Sequence, residues 1–394
     1  MKKKTIRDID VRGKRVLLRV DYNVQVEDGQ VVDDVRLRES LPTIRALRDA
    51  GACIIICSHQ GRPKGVDPTL RNAPIARHLT QLLGVPVKTT DDCIGPEAEA
   101  AAKALQPGEL LLLENLRFHP EEEENDECFA KALAALADIY VNDAFGTAHR
   151  AHASTVGVTQ FLPAVAGLLL EREVDYLGRV TDNPDRPFGI VLGGSKVSDK
   201  IGILENLTKC ADVICIGGAI ANTFLKARGI DVADSLVDND GLTGARYIMA
   251  LAEHRGGIEI VLPSDVVVAF GAAGAGQVRT VSVAQVPVNW RILDIGPGTV
   301  QSFADTLQKM RTVVWNGPLG LFEREPFDRG SIAVARILSE LKATTVVGGG
   351  ETVAALNRAG VADRISHVST GGGASLAMLQ GKSLPAVDAL LDAS

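Results

Sequence analysis

The chain lacks both a long apolar run and an excess of positive charge, and each absence excludes a class of protein. No stretch reaches the roughly 20 apolar residues that a membrane-spanning helix needs. Residues 1–10 are basic, but no apolar stretch of signal-peptide length follows them. A formal net charge of −7 argues against general nucleic-acid binding, which needs a basic face. We therefore expect a cytoplasmic protein with no membrane or nucleic-acid partner.

Paired cysteines are lacking as well. None of the six cysteines forms a C-x-x-C spacing, and several lie in apolar runs, where a thiol packs as a small hydrophobic group. They are Cys53, Cys57, Cys93, Cys128, Cys210 and Cys215. With 394 residues and 46% hydrophobic content, the chain can bury a core that needs no cross-links. These observations favour free thiols in a reducing compartment.

Short β-branched runs alternate with longer helical patterns along the chain, which is typical of the α/β class. We expect two doubly wound parallel-sheet lobes joined by a helix, with a cleft between them. The lobes are predicted at residues 1–167 and 183–374, and the connecting helix at 168–182. The predicted strands are 15–20, 52–57, 110–113 and 139–141 in the first lobe, and 189–192, 213–216, 258–262, 312–315, 344–347 and 365–368 in the second.

Four adjacent glutamates, Glu121–Glu124, precede a short apolar run at 128–130. We interpret them as a solvated first helical turn, because negative charge is favourable at the N-terminus of a helix dipole. A metal site built from these carboxylates is the alternative, and we rank it lower.

Polar and basic side chains follow the predicted strands of the first lobe. Ligands of open parallel sheets bind beyond the carboxyl ends of the strands. Four of the seven histidines and three arginines fall there. Guanidinium groups can hold a carboxylate or phosphate through two hydrogen bonds, so this edge predicts a site for a compact anion. The residues are Asp21, Asn23, His59, Gln60, Gly61, Arg62, Arg117, His119, His149, Arg150 and His152.

Two other interpretations of these side chains stay open. Each could be a structural ion pair or a solvated loop charge, although four consecutive strand ends of the same character argue against coincidence. His149 and His152 also have the spacing of zinc ligands. Because the neighbouring arginines would repel a divalent cation, we rank the anion site above zinc.

Glycines follow the predicted strands of the second lobe, at 193–194, 217–218, 317, 348–350 and 371–373. Glycine lets backbone amides approach a phosphate, and a helix that starts directly afterwards points its positive end at it. Tight turns are the competing explanation for any single pair. We expect Lys196 and Lys200 to lie on one helical face and to reach one phosphate chain. Glu351 either ligates Mg²⁺ or complements a helix dipole, and position alone does not decide between these roles.

Standard nucleotide fingerprints are absent. Gly381, Lys382 and Ser383 resemble the end of a P-loop, but Leu376 occupies the position of its first glycine. Residues 271–276 (GAAGAG) are followed by valines at strand-like spacing, so we interpret them as a mobile surface loop. This argues against a dehydrogenase, the first rival function. The second rival is a non-catalytic phosphometabolite-binding protein.

Taken together, these runs closely resemble the phosphoglycerate kinase family, a family of glycolytic enzymes, over essentially the whole chain. The matching segments are 19–24 (RVDYNV), 58–63 (SHQGRP), 114–118 (ENLRF), 142–152 (NDAFGTAHRAH), 193–200 (GGSKVSDK), 217–225 (GGAIANTFL), 294–297 (DIGP), 315–323 (WNGPLGLFE) and 366–373 (SHVSTGGG). They occur in the order of the family's signatures.

The resemblance implies roles for individual residues. Binding of 3-phosphoglycerate is implied for Asp21, Asn23, Arg36, His59, Gln60, Gly61, Arg62, Arg117 and Arg150, with His119, His149 and His152 in a supporting basic surround. Nucleotide binding is implied for Gly194, Lys196, Lys200, Gly218, Asn316, Glu323, Gly349, Gly350, Glu351 and Thr352. Catalytic roles are implied for Arg36, Lys196, Gly350 and Gly373, and Glu351 is the expected Mg²⁺ ligand.

The resemblance also implies the reaction and the state of the enzyme. A phosphoryl group would pass reversibly between MgATP and the carboxylate of 3-phosphoglycerate, giving 1,3-bisphosphoglycerate and ADP, by lobe closure and without a general base. A monomer is expected, with residues 375–394 packed back on the first lobe. The sequence departs from the commoner pattern at Gln25, where proline is frequent, at Glu351, where aspartate is usual, and at Ile292, where many members carry glycine.

Overall fold

The chain folds into two compact units, each built on its own parallel sheet. The computed structural model describes residues 2–271 and 276–393. The first unit comprises Met1–Asp175 and Ser383–Ser394, and the second comprises Tyr176–Lys382. The division falls inside the helix expected at 168–182, and the C-terminal return starts at Ser383 rather than at 375. Of the loop predicted at 271–276, residues 272–275 lie outside the described residues.

The first unit contains a six-stranded parallel sheet in the order β5-β6-β4-β1-β7-β8. Its strands are β1 (Arg15–Arg19), β4 (Cys53–Cys57), β5 (Val87–Thr89), β6 (Leu110–Leu112), β7 (Ile139–Asn142) and β8 (Ala164–Ala166), and a hairpin of β2 (Val26–Glu27) and β3 (Gln30–Val31) lies outside it. All five residues of β4 are buried, as expected for a parallel strand covered on both faces.

Helices connect these strands. They are α1 (Val35–Asp49), α2 (Ala73–Leu83), α3 (Gly95–Ala104), α4 (Glu121–Glu124), α5 (Glu127–Ala134), α6 (Leu168–Asp182) and, after the second unit, α14 (Pro385–Asp388). The C-terminal return is tied to the first unit by backbone hydrogen bonds from Ala386 to Ala148 and from Leu391 to Ala164, at 3.2 and 3.0 Å. Lys3 adds an ion pair of 2.7 Å to Asp392.

The second unit contains a six-stranded parallel sheet in the order β11-β10-β9-β15-β16-β17. Its strands are β9 (Phe188–Leu192), β10 (Val213–Ile216), β11 (Glu259–Val261), β15 (Thr312–Asn316), β16 (Thr344–Gly348) and β17 (His367–Val368). The connecting helices are α7 (Ile201–Leu207), α8 (Gly218–Ala227), α9 (Leu242–Arg255), α10 (Pro297–Leu307), α11 (Arg329–Glu340), α12 (Gly350–Ala359) and α13 (Gly373–Leu379). The predicted α/β class with two parallel sheets is confirmed.

An antiparallel sheet of three strands was not expected. It has the order β13-β12-β14 and consists of β12 (Asp265–Phe270), β13 (Val278–Ser282) and β14 (Trp290–Ile295). This sheet is an addition to the predicted parallel sheet of the second lobe. A strand rather than a helix follows Gly276, which confirms the case against a dinucleotide fingerprint. Among the described residues, no helix combines the length and apolar character needed to cross a bilayer.

The acidic turn α4 is helical as expected and exposes Glu123 and Glu124, but Glu122 departs from the solvated turn that the sequence indicates. Glu122 is fully buried and accepts hydrogen bonds from the Ser154 backbone N–H at 2.9 Å and from its hydroxyl at 2.6 Å. The guanidinium of Arg19, equally buried, donates to the same hydroxyl at 2.8 Å and lies 3.8 Å from the Glu122 carboxylate. A buried carboxylate needs such partners, because burial without them is very unfavourable.

We predict that Glu122→Leu lowers the unfolding free energy of the first unit by about 3–5 kcal/mol, because it leaves the buried charge of Arg19 uncompensated. Urea unfolding followed by far-ultraviolet circular dichroism measures the loss. Fluorescence of Trp290 and Trp315, the two tryptophans of the chain, reports on the second unit. The double variant Arg19→Met/Glu122→Leu should be more stable than Glu122→Leu alone, and strictly additive losses would contradict the pairing.

Candidate active site

Arg36 lies at the carboxyl end of β1 although it belongs to a helix. It is the second residue of α1, and its guanidinium Nη1 is 2.8 Å from Asp21 Oδ1 and donates to the Asn23 carbonyl at 3.3 Å. The Asn23 side chain in turn accepts from the Gly61 N–H at 3.0 Å. These contacts join the ends of β1 and β4 to the first turn of α1. Three separate segments of the sequence therefore meet at one place.

A second group of arginines lies beside Gly61. Arg117 Nη1 donates to the Gly61 carbonyl at 2.7 Å, and Arg117 Nη2 is 2.9 Å from Glu123. Arg150 approaches the same carboxylate at 3.9 Å. Buried Arg117 Nε has no hydrogen-bond partner within residues 2–271 and 276–393. Burial lowers the pKa of Arg117, and the positive charge of Arg150 adds to this effect against the opposing charge of Glu123. Gly61 and Glu123 therefore fix the Arg117 guanidinium at this strand end.

Burial lowers the pKa of three histidines of this edge, His59, His149 and His152. His59 is buried, and burial and the charge of Arg19 hold its pKa well below 6.5. Its Nδ1 lies 3.2 Å from Arg19 Nη2 and accepts the hydrogen bond, because guanidinium can only donate. The same two causes lower the pKa of His152 to about 4. The charge of the predicted basic edge therefore resides on the arginines.

The remaining predicted residues of the first unit differ in their surroundings. Gln60 is buried and held by two hydrogen bonds with the side chain of Asn115, at 3.0 and 2.8 Å. Arg62 is exposed. His149 Nε2 accepts from Arg150 Nε at 3.3 Å. His119 pairs with the carboxylate of Asp92 at 2.7 Å. Because this nearest contact is acidic, it does not support the expected place of His119 among the basic residues.

Three of the interacting residues were not predicted as site residues. Arg19, Asn115 and Glu123 hold His59, Gln60 and Arg117 in place, respectively. Arg19 and Asn115 lie inside matched motifs, so their position in the sequence was a usable signal. Glu123 lies in the glutamate run, where composition does not distinguish the buried Glu122 from its exposed neighbour.

In the second unit, glycine is required where three turns converge. The Gly194 N–H donates to the Pro318 carbonyl at 2.8 Å, and the Gly218 N–H donates to the Leu319 carbonyl at 2.9 Å. A Cβ added at Gly193 would lie 2.1 Å from the Pro318 oxygen. Gly218 has a φ of +64°, and its added Cβ would lie 2.8 Å from that oxygen. These glycines permit close backbone approach, and a side chain would separate the strand ends.

Lys200 is placed by Asn316 rather than by a helix. Its Nζ donates to Asn316 Oδ1, and Asn316 Nδ2 donates to the Gly348 carbonyl at 2.9 Å. Burial lowers the Lys200 pKa, and the carboxylates of Asp199 and Glu351 oppose this effect.

The expectation that Lys196 and Lys200 share a helical face is wrong. Helix α7 begins only at Ile201, after Lys200. The chain turns first, because the Asp238 carboxylate accepts from both the N–H and the hydroxyl of Ser198 at 3.0 Å. Lys196 is exposed on this irregular segment.

A pocket of about 190 Å³ opens beside these turns. Four predicted nucleotide residues line it, namely Gly194, Gly218, Glu323 and Glu351. Much of the remaining wall is apolar and includes Leu236, Pro263, Val266, Ile292 and Leu321. Ile292, the departure from the commoner pattern, therefore does form part of the wall. Lys200 lies next to the pocket, since an added Cβ at Gly194 would be 4.0 Å from its Cε.

Helix α12 starts at Gly350, directly after Gly349 with a φ of +98°. Its third residue, Thr352, is buried and accepts from the Gly317 N–H at 2.8 Å. Glu351 is exposed in the first turn. Gly373 starts α13 and is not among the residues that line the pocket. The pocket thus combines glycine turns and the exposed carboxylates of Glu323 and Glu351, with Lys200 next to it and the start of α12 at its edge, a set suited to a phosphorylated ligand with its cation.

Comparison with known proteins agrees with this geometry. Residues 6–382 match the family model described as phosphoglycerate kinase. The phosphoglycerate kinases of Pelotomaculum thermopropionicum and Moorella thermoacetica are 56% and 53% identical over 393 residues, with 100% of each chain covered. The solved structures of phosphoglycerate kinase from Coxiella burnetii and Pyrococcus horikoshii match with TM-scores of 0.90 and 0.85, at 40% and 35% identity, over 98% of each chain. The chain belongs to the phosphoglycerate kinase family, a family of enzymes.

Proposed function

We propose that the chain catalyses reversible phosphoryl transfer between MgATP and the carboxylate of 3-phosphoglycerate. The opposite direction consumes 1,3-bisphosphoglycerate and ADP, as glycolysis requires. The observation that carries the proposal is the convergence of guanidinium groups at the strand ends, where Arg36 contacts the Asn23 carbonyl and Arg117 contacts the Gly61 carbonyl, which suits a small ligand with two anionic ends. We also propose that the enzyme is monomeric and cytoplasmic.

The first unit would hold the phosphoglycerate through its charges and backbone. Arg36, Arg62, Arg117 and Arg150 would neutralise its phosphate and carboxylate, and each can donate from a planar guanidinium. The hydroxyl group of 3-phosphoglycerate and the surrounding loop would be oriented by Asp21, Asn23, His59, Gln60 and Gly61. Because Asp21 already pairs with Arg36 at 2.8 Å, that guanidinium is pre-positioned before substrate arrives.

The second unit would hold the nucleotide against its glycine turns. Amides at Gly349–Thr352, together with Lys200 and Asn316, would contact the phosphates. Gly194 and Gly218, whose own amides bind Pro318 and Leu319, would let the nucleotide approach closely because they carry no side chain, and Glu323 would line the nucleotide pocket. The exposed carboxylate of Glu351 fits a Mg²⁺ role, because a hard cation prefers oxygen ligands. When bound, Mg²⁺ would neutralise phosphate oxygens. Lys196, together with Arg36 and the amides of Gly350 and Gly373, would stabilise the phosphoryl group in transfer.

No general base is needed for this reaction. The attacking group is a carboxylate, whose ordinary pKa of about 3.5 leaves it ionised at neutral pH. The enzyme's contribution is then position and charge stabilisation, as in other phosphoryl transfers. Since the two proposed ligand sites belong to separate units, we propose that the units close on each other for transfer and exclude water from it.

The first test is a coupled assay of MgATP-dependent phosphorylation with three acceptors. We expect turnover with 3-phosphoglycerate, and little with 2-phosphoglycerate or glycerate, because each control displaces or removes one of the two anionic ends. Equal turnover with glycerate would contradict the proposed phosphate contacts. Absence of turnover with 3-phosphoglycerate would contradict the proposed reaction.

The second test removes the charges assigned to the transition state. Arg36→Ala and Lys196→Ala should each lower kcat/KM by on the order of 10²-fold or more, because charge stabilisation in such sites amounts to several kcal/mol. Arg38→Ala is the matched control, since Arg38 is exposed on the same helix and pairs with Asp34. Near-normal kcat/KM in either test variant would contradict the role of that residue.

The third test concerns pH. A histidine whose pKa is lowered to about 4 takes up a proton only below that pH, so His152 carries no charge throughout the neutral range. We therefore expect the pH dependence of KM for 3-phosphoglycerate to have the same shape in His152→Gln as in the wild type. The comparison covers about pH 6 to about pH 8, the range in which an ordinary histidine titrates. Loss of an inflection near the ordinary histidine pKa would show that His152 does bind substrate as a cation.

A further inference from the structure

A cluster of three different metal-ligating side chains lies in the first unit, apart from the arginines assigned to substrate. Asp92, Cys93 and His119 each offer one ligand atom, and these atoms all lie within 4.8 Å of one another. His119 Nε2 and Asp92 Oδ1 are 2.7 Å apart. Cys93 is fully buried, and the Asp92 and His119 side chains are 50% and 27% exposed. The cluster therefore has a closed side and a side that solvent reaches.

The parallel pairing of β5 with β6 brings the cluster together. Asp92 and Cys93 follow β5, and His119 follows the turn after β6. The Asp92 carboxylate accepts from the Cys93 N–H at 2.6 Å, and Thr90 donates to the Asp92 carbonyl at 2.7 Å. The His119 ring packs against Phe129 with 5.2 Å between ring centroids. Contacts from outside the cluster, by Thr90 and Phe129, thus help to hold Asp92 and His119 in place.

The donor set selects the class of cation. Thiolate, imidazole and carboxylate together suit Zn²⁺, which usually takes four ligands in a tetrahedron, whereas Mg²⁺ and Ca²⁺ require mostly oxygen. Zinc bond lengths of about 2.0–2.3 Å place neighbouring ligand atoms roughly 3–4 Å apart. The ligand atoms of this cluster are 2.7 Å apart for His119 and Asp92 and all within 4.8 Å of one another, a range that includes the zinc value. The side of the cluster that solvent reaches would leave the fourth coordination position of the cation to a water molecule.

The local charge also favours a cation here. The charges that act most strongly on the Cys93 thiol are the carboxylates of Asp92 and Glu122. His149 and His152, the pair with zinc-like spacing, are instead surrounded by the positive charge of Arg150, which acts on both. Repulsion by neighbouring arginines, the reason for ranking zinc below an anion at His149 and His152, therefore does not apply to this cluster.

From this geometry we infer that Asp92, Cys93 and His119 form a binding site for a zinc-class divalent cation. The cation would replace the hydrogen bond between His119 and Asp92, and the Cys93 thiol would lose its proton to solvent as the sulfur–metal bond forms. Because His119 ends the turn that carries Arg117, the bound cation would also hold that turn. The site is independent of the proposed Mg²⁺ ligand Glu351, which belongs to the second unit.

Cadmium titration of the full chain tests the inference, because a cadmium–thiolate bond has an ultraviolet charge-transfer absorption. We expect the band to saturate at one equivalent per chain and to be absent in Cys93→Ser. His119→Ala should weaken binding by at least about 10–100-fold, the loss found when even an outer-shell partner is removed. The matched control is Cys128→Ser, which removes an exposed thiol of the same unit and should leave the titration unchanged.

Two results would overturn the site. One is a band that persists in Cys93→Ser or disappears in Cys128→Ser. The other is wild-type cadmium affinity in His119→Ala, which decides the question even if the buried Cys93→Ser change prevents folding, as circular dichroism would show. Zinc should raise the thermal midpoint of the wild type and not of His119→Ala, because a ligand that binds only the folded state stabilises it. None of these readouts depends on kinase activity.

Discussion

Parallel pairing of strands is the constraint on which both candidate sites depend. When strands run in one direction, every strand-to-helix turn at their carboxyl ends lies on one edge of the sheet. In the first unit this edge collects the segments after β1, β4, β6 and β7, and in the second unit it collects those after β9, β10, β15 and β16. Residues far apart in sequence, such as Asn23 and Gly61, thereby come within hydrogen-bonding distance. The zinc-class cluster has the same origin, in the neighbouring ends of β5 and β6.

The two edges would bind negative charge in different ways under the proposed function. The first unit uses guanidinium groups and tolerates their burial by pairing them, Arg19 with Glu122 and Arg117 with Glu123. Burial lowers the pKa of His59 and His152, so these two histidines would shape the site without adding charge. The second unit uses backbone amides at glycine turns, where a Cβ would collide with a neighbouring carbonyl. Both arrangements are formed before ligand arrives, which lowers the reorganisation that binding requires.

Sequence reasoning was most accurate for the strands of the two parallel sheets, whose apolar runs are visible in the sequence and buried in the fold. The strand at 213–216 was predicted with its observed bounds, and most other predicted strands of the parallel sheets differ from the observed ones by a residue or two. The short strands β5 and β8 and the antiparallel sheet were missed, because short or partly exposed strands have a weak alternating pattern. Arg36 could be found only through the family resemblance, since it belongs to a helix and Asp21 brings it to the strand end.

Other errors arose from long-range contacts that no local pattern contains. Glu122 looked like its exposed neighbours, yet Ser154, which follows it by 32 residues, buries and binds it. Lys196 and Lys200 have helical spacing, but Asp238 fixes Ser198 in a turn and α7 starts later. For His119, predicted in a supporting basic surround, the nearest contact is Asp92, a partner that its position after a strand does not indicate. In each case the decisive partner lies in a different segment of the chain.

The central claim is that transfer occurs between ligands held by two separate units, which must close on each other to react. Small-angle X-ray scattering of the full chain, alone, with each substrate and with both, tests this claim most directly. The account predicts that the radius of gyration decreases when 3-phosphoglycerate and a non-hydrolysable MgATP analogue are both bound. An unchanged radius of gyration with both ligands at saturation would contradict it.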